Sequence, residues 1–302
     1  MGAFAEALRA AAAGRRILEN EPMSRHTSFR IGGPADFLAM PESAEELSAL
    51  LEVSRLMGEP TLVIGNGTNL LVSDSGVRGL VIRLAGALTG LSSNGTEIEA
   101  RAGTLLSKTA AFARDRGLSG LEFAHGIPGS VGGGVCMNAG AYDGELGGVL
   151  IRSLCLDGDG RIFELDREGH DFGRRRSFFT DHPECVVLSS VFSLEKGDGE
   201  EIQARMDDFR TRRALTQPLE YPSAGSVFKR PEGHFAGKLI SDCGLKGLQA
   251  GGARVSDMHA GFIINTGGAT CADVLELIER IQETVYTRLG VTLESEVKVI
   301  GA

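Results

Sequence analysis

Apolar and polar positions along the chain alternate between helical and strand-like spacing without a sustained strand-helix-strand period, which predicts an α+β fold rather than a doubly wound parallel sheet. The Ala-rich start, "MGAFAEALRAAAAGRRILEN", carries Glu6 and Arg9 and predicts a helix. "PMSRHTSFRIGGPADFLAMP" then reads as extended, with a turn at Gly33 and Pro34. "SAEELSALLEVSRLMG" predicts a helix with Ser43 and Glu46 as a capping box and Gly58 as its stop. "TLVIG" and "GLVIRL" are short buried-strand runs on either side of "GNGTNLLVSDSGVR", and "TEIEARAG" alternates like a half-buried strand. "TLLSKTAAFARDRG" predicts a helix capped at Thr104 and ended by Gly117.

Beyond the glycine-rich stretch at about 120–148, "LIRSLCLDGDGRIFEL" predicts a hairpin turning at Asp157 to Gly160, and "CVVLSSVFSL" a further strand. "EKGDGE" (195–200) is the best linker candidate. A helix to about residue 215 follows, and a long one spans about 271–289. "VTLESEVKVIG" predicts a last strand, with Val291, Leu293, Val297 and Val299 on one face and Glu294, Glu296 and Lys298 on the other.

A length of 302 residues is enough for about two domains. The net charge of −9, from 31 basic and 40 acidic residues, argues against a phosphate polymer as partner. With no tryptophan and three tyrosines, base-stacking platforms are also scarce. Five widely spaced cysteines (Cys136, Cys155, Cys185, Cys243, Cys271) contain no CxxC pair, which predicts a reducing compartment and no zinc site. The N-terminus does not read as a signal peptide, Glu6 breaks the myristoylation pattern, and no apolar run approaches membrane-spanning length. The expectation is a cytoplasmic, soluble protein without metal, nucleic acid or obligate protein partner.

Two glycine loops invite a phosphate. "TLVIGNGTNL" sets Gly65-Asn66-Gly67 after a strand, but Leu70 stands where a dinucleotide fingerprint needs its third glycine. "HGIPGSVGGGVCMNAGA" is neither Walker A nor Rossmann, yet Gly126, Gly129, Gly132 and Gly133 let backbone N–H groups converge on an anion and Ser130 adds a hydroxyl. Close helix packing explains the same glycines, and a structural hydrogen bond explains His125.

The blocks "SRHTSFRIGGPAD", "GNGTNLLVSD", "EFAHGIPGSVGGGVCMNAGAY", "PSAGSVFKRP", "AGKLISDCGLKG", "HAGFIINTGGAT" and "LESEVKVIG" follow one another from residue 24 to 301. In this order they resemble the UDP-N-acetylenolpyruvoylglucosamine reductase (MurB) family of peptidoglycan precursor synthesis. The short stretch from Val191 to Arg212 is similar to the family's shorter type, without the extra substrate loop. The resemblance implies a two-subdomain FAD-binding half of the vanillyl-alcohol-oxidase type (1–84 and 85–197) and a substrate-binding domain (198–302). It also implies non-covalent FAD, NADPH as hydride donor, and UDP-N-acetylglucosamine enolpyruvate as substrate.

Carried onto this chain, the resemblance makes Ser226 the proton donor, Arg175 the grip on the substrate carboxylate and Glu296 the catalytic carboxylate. Pattern alone reads Ser226 as a turn serine, "GRRRS" as a solvated basic turn in which Arg174 is the alternative to Arg175, and Glu296 as a solvent-facing strand residue. Lys229 is a candidate to orient Ser226. The flavin contacts implied are Gly65, Asn66, Gly67, Thr68, Asn69 and Leu70 in the first loop, and Gly126, Ile127, Pro128, Gly129, Ser130, Gly132 and Gly133 in the second. Asn138, Ala139 and Gly140 extend the second loop. Arg213, Lys238, Ser256 and His259 are candidates for the diphosphate or sugar, and Tyr221 for the uracil; each reads equally as a surface residue.

Overall fold

The computed structural model describes residues 2–12 and 16–301 and is α+β, as the pattern predicts. The chain forms two compact units, each built from separated stretches. The first contains the residues up to Glu19, Phe37–Asn66 and Gly79–Arg212; the second contains Asn20–Asp36, Gly67–Arg78 and the chain from Arg213 onward. Each unit has its own apolar core.

In the first unit an antiparallel five-stranded sheet runs in the order Ile162–Asp166, Leu150–Leu156, Val186–Ser193, Glu97–Arg101, Leu91–Asn94. Its central strand, Val186–Ser193, is buried at every position but the last, and the hydroxyls of its buried Ser189 and Ser190 bond Glu99 and Ser153. The outer hairpin turns at Asp157, whose carboxylate accepts from the N–H groups of Asp159 and Arg161. Four helices begin in this unit before residue 140: α1 (Gly2–Ala11), α2 (Ala44–Met57), α3 (Leu106–Arg114) and α4 (Val131–Cys136). The short α5 (Leu146–Val149) and the long α6 (Gly199–Thr216) follow, and the boundary between the units falls inside α6, at Arg212 and Arg213. Within the expected linker, Glu195–Lys196 pair with Leu118–Ser119.

Three local expectations are corrected. The first helix ends at Ala11; residues 13–15 lie outside the described residues, and Leu18–Pro22 is a strand. Thr104 does not cap α3: its hydroxyl bonds the N–H and C=O of Gly90 instead, at 3.0 and 3.1 Å. At α2, Ser43 accepts from the Glu46 N–H as predicted, but the Glu46 carboxylate reaches back to the Glu42 N–H rather than to Ser43.

The second unit packs α7 (Ala236–Asp242) and α8 (Cys271–Leu289) with an antiparallel meander of Gln249–Ala250, Ala253–Val255 and Ile263–Asn265. Cys271, Val274, Leu277, Ile278, Ile281 and Val285 make one buried face of α8 at helical spacing. The last strand is only Lys298–Ile300, paired in parallel with Leu70–Val72. The predicted two-faced strand is therefore overturned in part: Leu293 and Val297 are buried, Val299 is exposed, and Glu296 is half-buried rather than solvent-facing.

Candidate active site

In the first unit Asn66, at the start of the first glycine loop, is tied to the second. Its Nδ2 donates to the Pro128 carbonyl (2.7 Å), and its Oδ1 accepts from Arg83 (3.2 Å). Burial lowers the pKa of that guanidinium. A Cβ at Gly65 would collide with the Ser130 hydroxyl, so this close approach requires glycine. The dense glycine run divides between two tasks. Gly132 and Gly134 allow α4 to pack tightly, since Cβ atoms there would come within 3.0 Å of Ala102 and of Leu106 and Leu146. At Gly133 a Cβ would meet only the Ser130 hydroxyl, at 3.5 Å, leaving open space above that turn.

The first-turn amides of α4 are not available to an anion. Val131 and Gly132 donate to the carbonyls of Thr104 and Ala102, and Gly133 to Ser130 Oγ. In the loops of this unit, by contrast, the N–H groups of Asn66, Gly126, Gly129 and Ser130 find no acceptor among the described residues. Buried Nδ1 of His125 also lacks a partner, so the structural hydrogen bond expected there is not made. These bare donors of the first unit, with space over Gly133, fit a pyrophosphate held by backbone amides of the loop rather than by a helix end.

Arg175 stands at the tip of a tight turn in the same unit. Gly173 and Arg176 exchange backbone hydrogen bonds (3.0 and 3.2 Å), leaving Arg174 and Arg175 as the two loop residues. Arg175 is left-handed (φ +56°), at a cost of roughly 1–2 kcal/mol for a residue with a Cβ. Its Nη2 donates to the Gly140 carbonyl (3.2 Å) and it is half-buried. Arg174 is exposed, and Arg176 is exposed and paired with Asp171 and Asp181.

Asn138, Tyr142 and Asp143 on the facing loop are left-handed as well. Tyr142 and Asp143 form the two-residue tip of the hairpin Gly140–Ala141/Gly144–Glu145, a turn that requires positive φ at both positions. A tyrosine there is secured by stacking on Phe209 (4.4 Å) and by its hydroxyl on the Phe209 carbonyl (3.0 Å). Such clustering of strained backbone is a mark of functional sites.

Ser226 and Glu296 are brought close together in the second unit. Residues 226–229 pair on one side with Phe262 and on the other with Ser295; Val227 donates to Gly261, and Glu296 donates to Val227 (2.7 Å). Buried Val227 anchors this segment in the core, while Ser226, just before it, is exposed. Lys229 does not orient the serine: its ammonium pairs with Glu294 (3.1 Å). Asn69 and Leu70 belong to this unit, and Asn69 Nδ2 donates to the Glu296 carbonyl (3.1 Å). Gly67, also here, has φ +63° and leaves no room for a Cβ beside the His26 carbonyl.

The sugar-nucleotide candidates fare differently. His259 is half-buried, burial lowers its pKa, and its Nδ1 accepts from the Gly261 N–H (3.1 Å), so neutral imidazole keeps its proton on Nε2. Ser256 is buried, with its hydroxyl spent on the N–H groups of Met258 and His259. Lys238 is exposed and paired with Asp242 (2.8 Å). Arg213 is half-buried and Tyr221 exposed. Among the described residues no group of three or more His, Cys, Asp or Glu could hold a metal, and no helix is long and apolar enough to cross a membrane.

Comparison with known proteins bears directly on these loops. Residues 35–166 match an FAD binding domain, and residues 217–300 match the C-terminal domain of UDP-N-acetylenolpyruvoylglucosamine reductase. The chain is 50% identical over 286 residues to the UDP-N-acetylenolpyruvoylglucosamine reductase of Pediococcus pentosaceus, covering 95% of each chain. It is also 50% identical over 286 residues to that of Caldanaerobacter subterraneus, covering 95% of this chain and 94% of the other. Among solved structures, the reductase (MurB) from Thermus caldophilus superposes with a TM-score of 0.81 at 39% identity, over 95% of this chain and 98% of that one.

Proposed function

The chain belongs to the UDP-N-acetylenolpyruvoylglucosamine reductase family, and we propose that it reduces UDP-N-acetylglucosamine enolpyruvate to UDP-N-acetylmuramate in the cytoplasm, with FAD as cofactor and NADPH as hydride donor. The observation that carries the reading is the bond from Asn66 to the second glycine loop, with bare amides at Asn66, Gly126, Gly129 and Ser130 inside a matched FAD-binding stretch. These amides would hold the pyrophosphate. When bound, FAD supplies the hydride that reaches the terminal vinyl carbon.

The chain's own residues have three tasks. Arg175 binds the substrate carboxylate and stabilises the charge that builds on it as the vinyl carbon is reduced, a task suited to a fixed, always-charged fork. Its strained, half-buried turn supports it over the exposed Arg174. Ser226 gives its hydroxyl proton to the carbon next to that carboxylate, and solvent restores the proton. Serine is a weak acid, but the carbon it quenches is strongly basic. Glu296 polarises the reacting end of the substrate, its backbone fixed by Val227 and Asn69.

For the nucleotide, the Nε2–H of neutral His259 and the guanidinium of Arg213 are the donors we favour. Incubation with NADPH and the enolpyruvyl sugar, read by mass spectrometry, tests the reading. A product two mass units heavier supports it, and unchanged sugar with an FAD-loaded protein refutes it.

A further inference from the structure

Asn138 sits where a cofactor contact is expected, yet its side chain faces inward and is spent. The residue is 1% exposed. Its Nδ2 donates to the Gly173 carbonyl (3.0 Å), and its Oδ1 accepts from the Gly147 N–H (2.9 Å). Gly173 is the base of the turn that carries Arg175. Two residues after Asn138, the Gly140 carbonyl accepts from Arg175 Nη2 (3.2 Å). At the far end of the turn, Ser177 Oγ donates to the Cys136 carbonyl (2.8 Å). Three hydrogen bonds thus join residues 136–140 to the base, head and end of the arginine turn.

We infer that Asn138 is a positioning residue for Arg175, and that the stretch 136–140 is the seat of the arginine turn rather than a flavin contact. This rests on the carboxylate-binding reading of Arg175. Its backbone explains the residue type: at φ +42°, Asn and Asp are tolerated where other side chains are strained. Only asparagine adds both a donor for Gly173 and an acceptor for Gly147. Loss of the donor leaves the Gly173 carbonyl with only the Arg176 N–H and unties the turn from residue 138, and an arginine displaced by about 1 Å loses on the order of a hundredfold in a reaction that depends on its placement.

Asn138→Asp keeps the left-handed backbone and the acceptor for Gly147 while it replaces the donor with a buried carboxylate oxygen that repels the Gly173 carbonyl. Arg175→Ala, Asn138→Asp and the double variant are compared as FAD-loaded enzyme. The measurements are affinity for the enolpyruvyl sugar by calorimetry, the rate of flavin bleaching by NADPH, and the rate of reoxidation by the sugar. The expected result is a loss of about ten- to a hundredfold in affinity and reoxidation for Asn138→Asp, with flavin content and bleaching little changed. In the Arg175→Ala background the same change costs nothing further.

Ser177→Ala removes the bond at the other end of the turn and gives the same pattern more weakly, which serves if Asn138→Asp does not fold. Losses that multiply in the double variant, or a wild-type Asn138→Asp, overturn the inference alone. An Arg175→Ala enzyme with undiminished affinity and reoxidation overturns the carboxylate reading and this inference with it.

Discussion

Asn69 holds the backbone leaving Glu296 at two points: its Nδ2 donates to the Glu296 carbonyl at 3.1 Å, and its own carbonyl accepts the Lys298 N–H at 3.0 Å. A residue of the first glycine loop thereby fixes the proposed catalytic carboxylate. Asn69→Ala is expected to lower unfolding free energy by about 1 kcal/mol in a urea titration, the net worth of one hydrogen bond. It should also slow reoxidation by the sugar more than bleaching by NADPH. Equal effects on the two half-reactions would show that the bond serves stability alone.

The register of the arginine turn gives a second test. Arg175→Ala should reduce the reoxidation rate by at least a hundredfold, the order lost with a fixed transition-state donor, whereas Arg174→Ala should change it less than twofold. A larger loss at Arg174 would move the carboxylate grip by one residue.

His170 supplies a pH test. It is fully buried, with Nδ1 on the Asp166 carbonyl (2.6 Å) and Nε2 on Ser153 Oγ (2.9 Å), and Ser153 in turn meets Ser190 (2.8 Å). Burial lowers its pKa from the ordinary 6.5, against an opposing pull from Asp166; burial lowers that of His259 too. The unfolded chain therefore takes up protons first as pH falls. Stability from these groups is full above pH 6.5, declines as pH drops toward the lowered folded values, and levels off below them. His170→Gln should flatten the fall of the urea midpoint below pH 6.5; an unchanged slope would contradict the assignment.

Asp74 caps α8 from a distant part of the chain, accepting from the N–H groups of Cys271 (2.8 Å) and Ala272 (3.1 Å) beside the Thr270–Asp273 capping box. Asp74→Ala is expected to cost about 1 kcal/mol of stability, and Asp74→Asn less, measured by urea titration. No change in either would mean that water replaces the carboxylate without loss.

Elements that carry their own local signals were legible. The span of α8, the Ser43 cap of α2 and the Asp157 turn each follow from residues within one element. Thr104 was misread because a threonine before a helix is a cap only if no nearer backbone claims its hydroxyl, and Gly90 does. Glu296 was misread as solvent-facing because alternation assumes a regular strand, whereas only Lys298–Ile300 is one.

The seat of Arg175 was invisible for a different reason. The amide of Asn138 and the hydroxyl of Ser177 meet partners 35 and 41 residues away, and no spacing within either segment encodes such a meeting. The assembly of the second unit from three separated stretches is hidden in the same way. The dense glycines were legible as a class, but only packing around Gly132 and Gly134, and the space over Gly133, separates the glycines that fit the helix from the one that leaves room.

The most direct test of the central claim is the visible spectrum of the purified protein, recorded before and after anaerobic NADPH and again after adding UDP-N-acetylglucosamine enolpyruvate. The account predicts oxidised-flavin bands that bleach with NADPH and return with the sugar. Bands that bleach but ignore the sugar, or a protein that stays colourless after incubation with FAD, would contradict it.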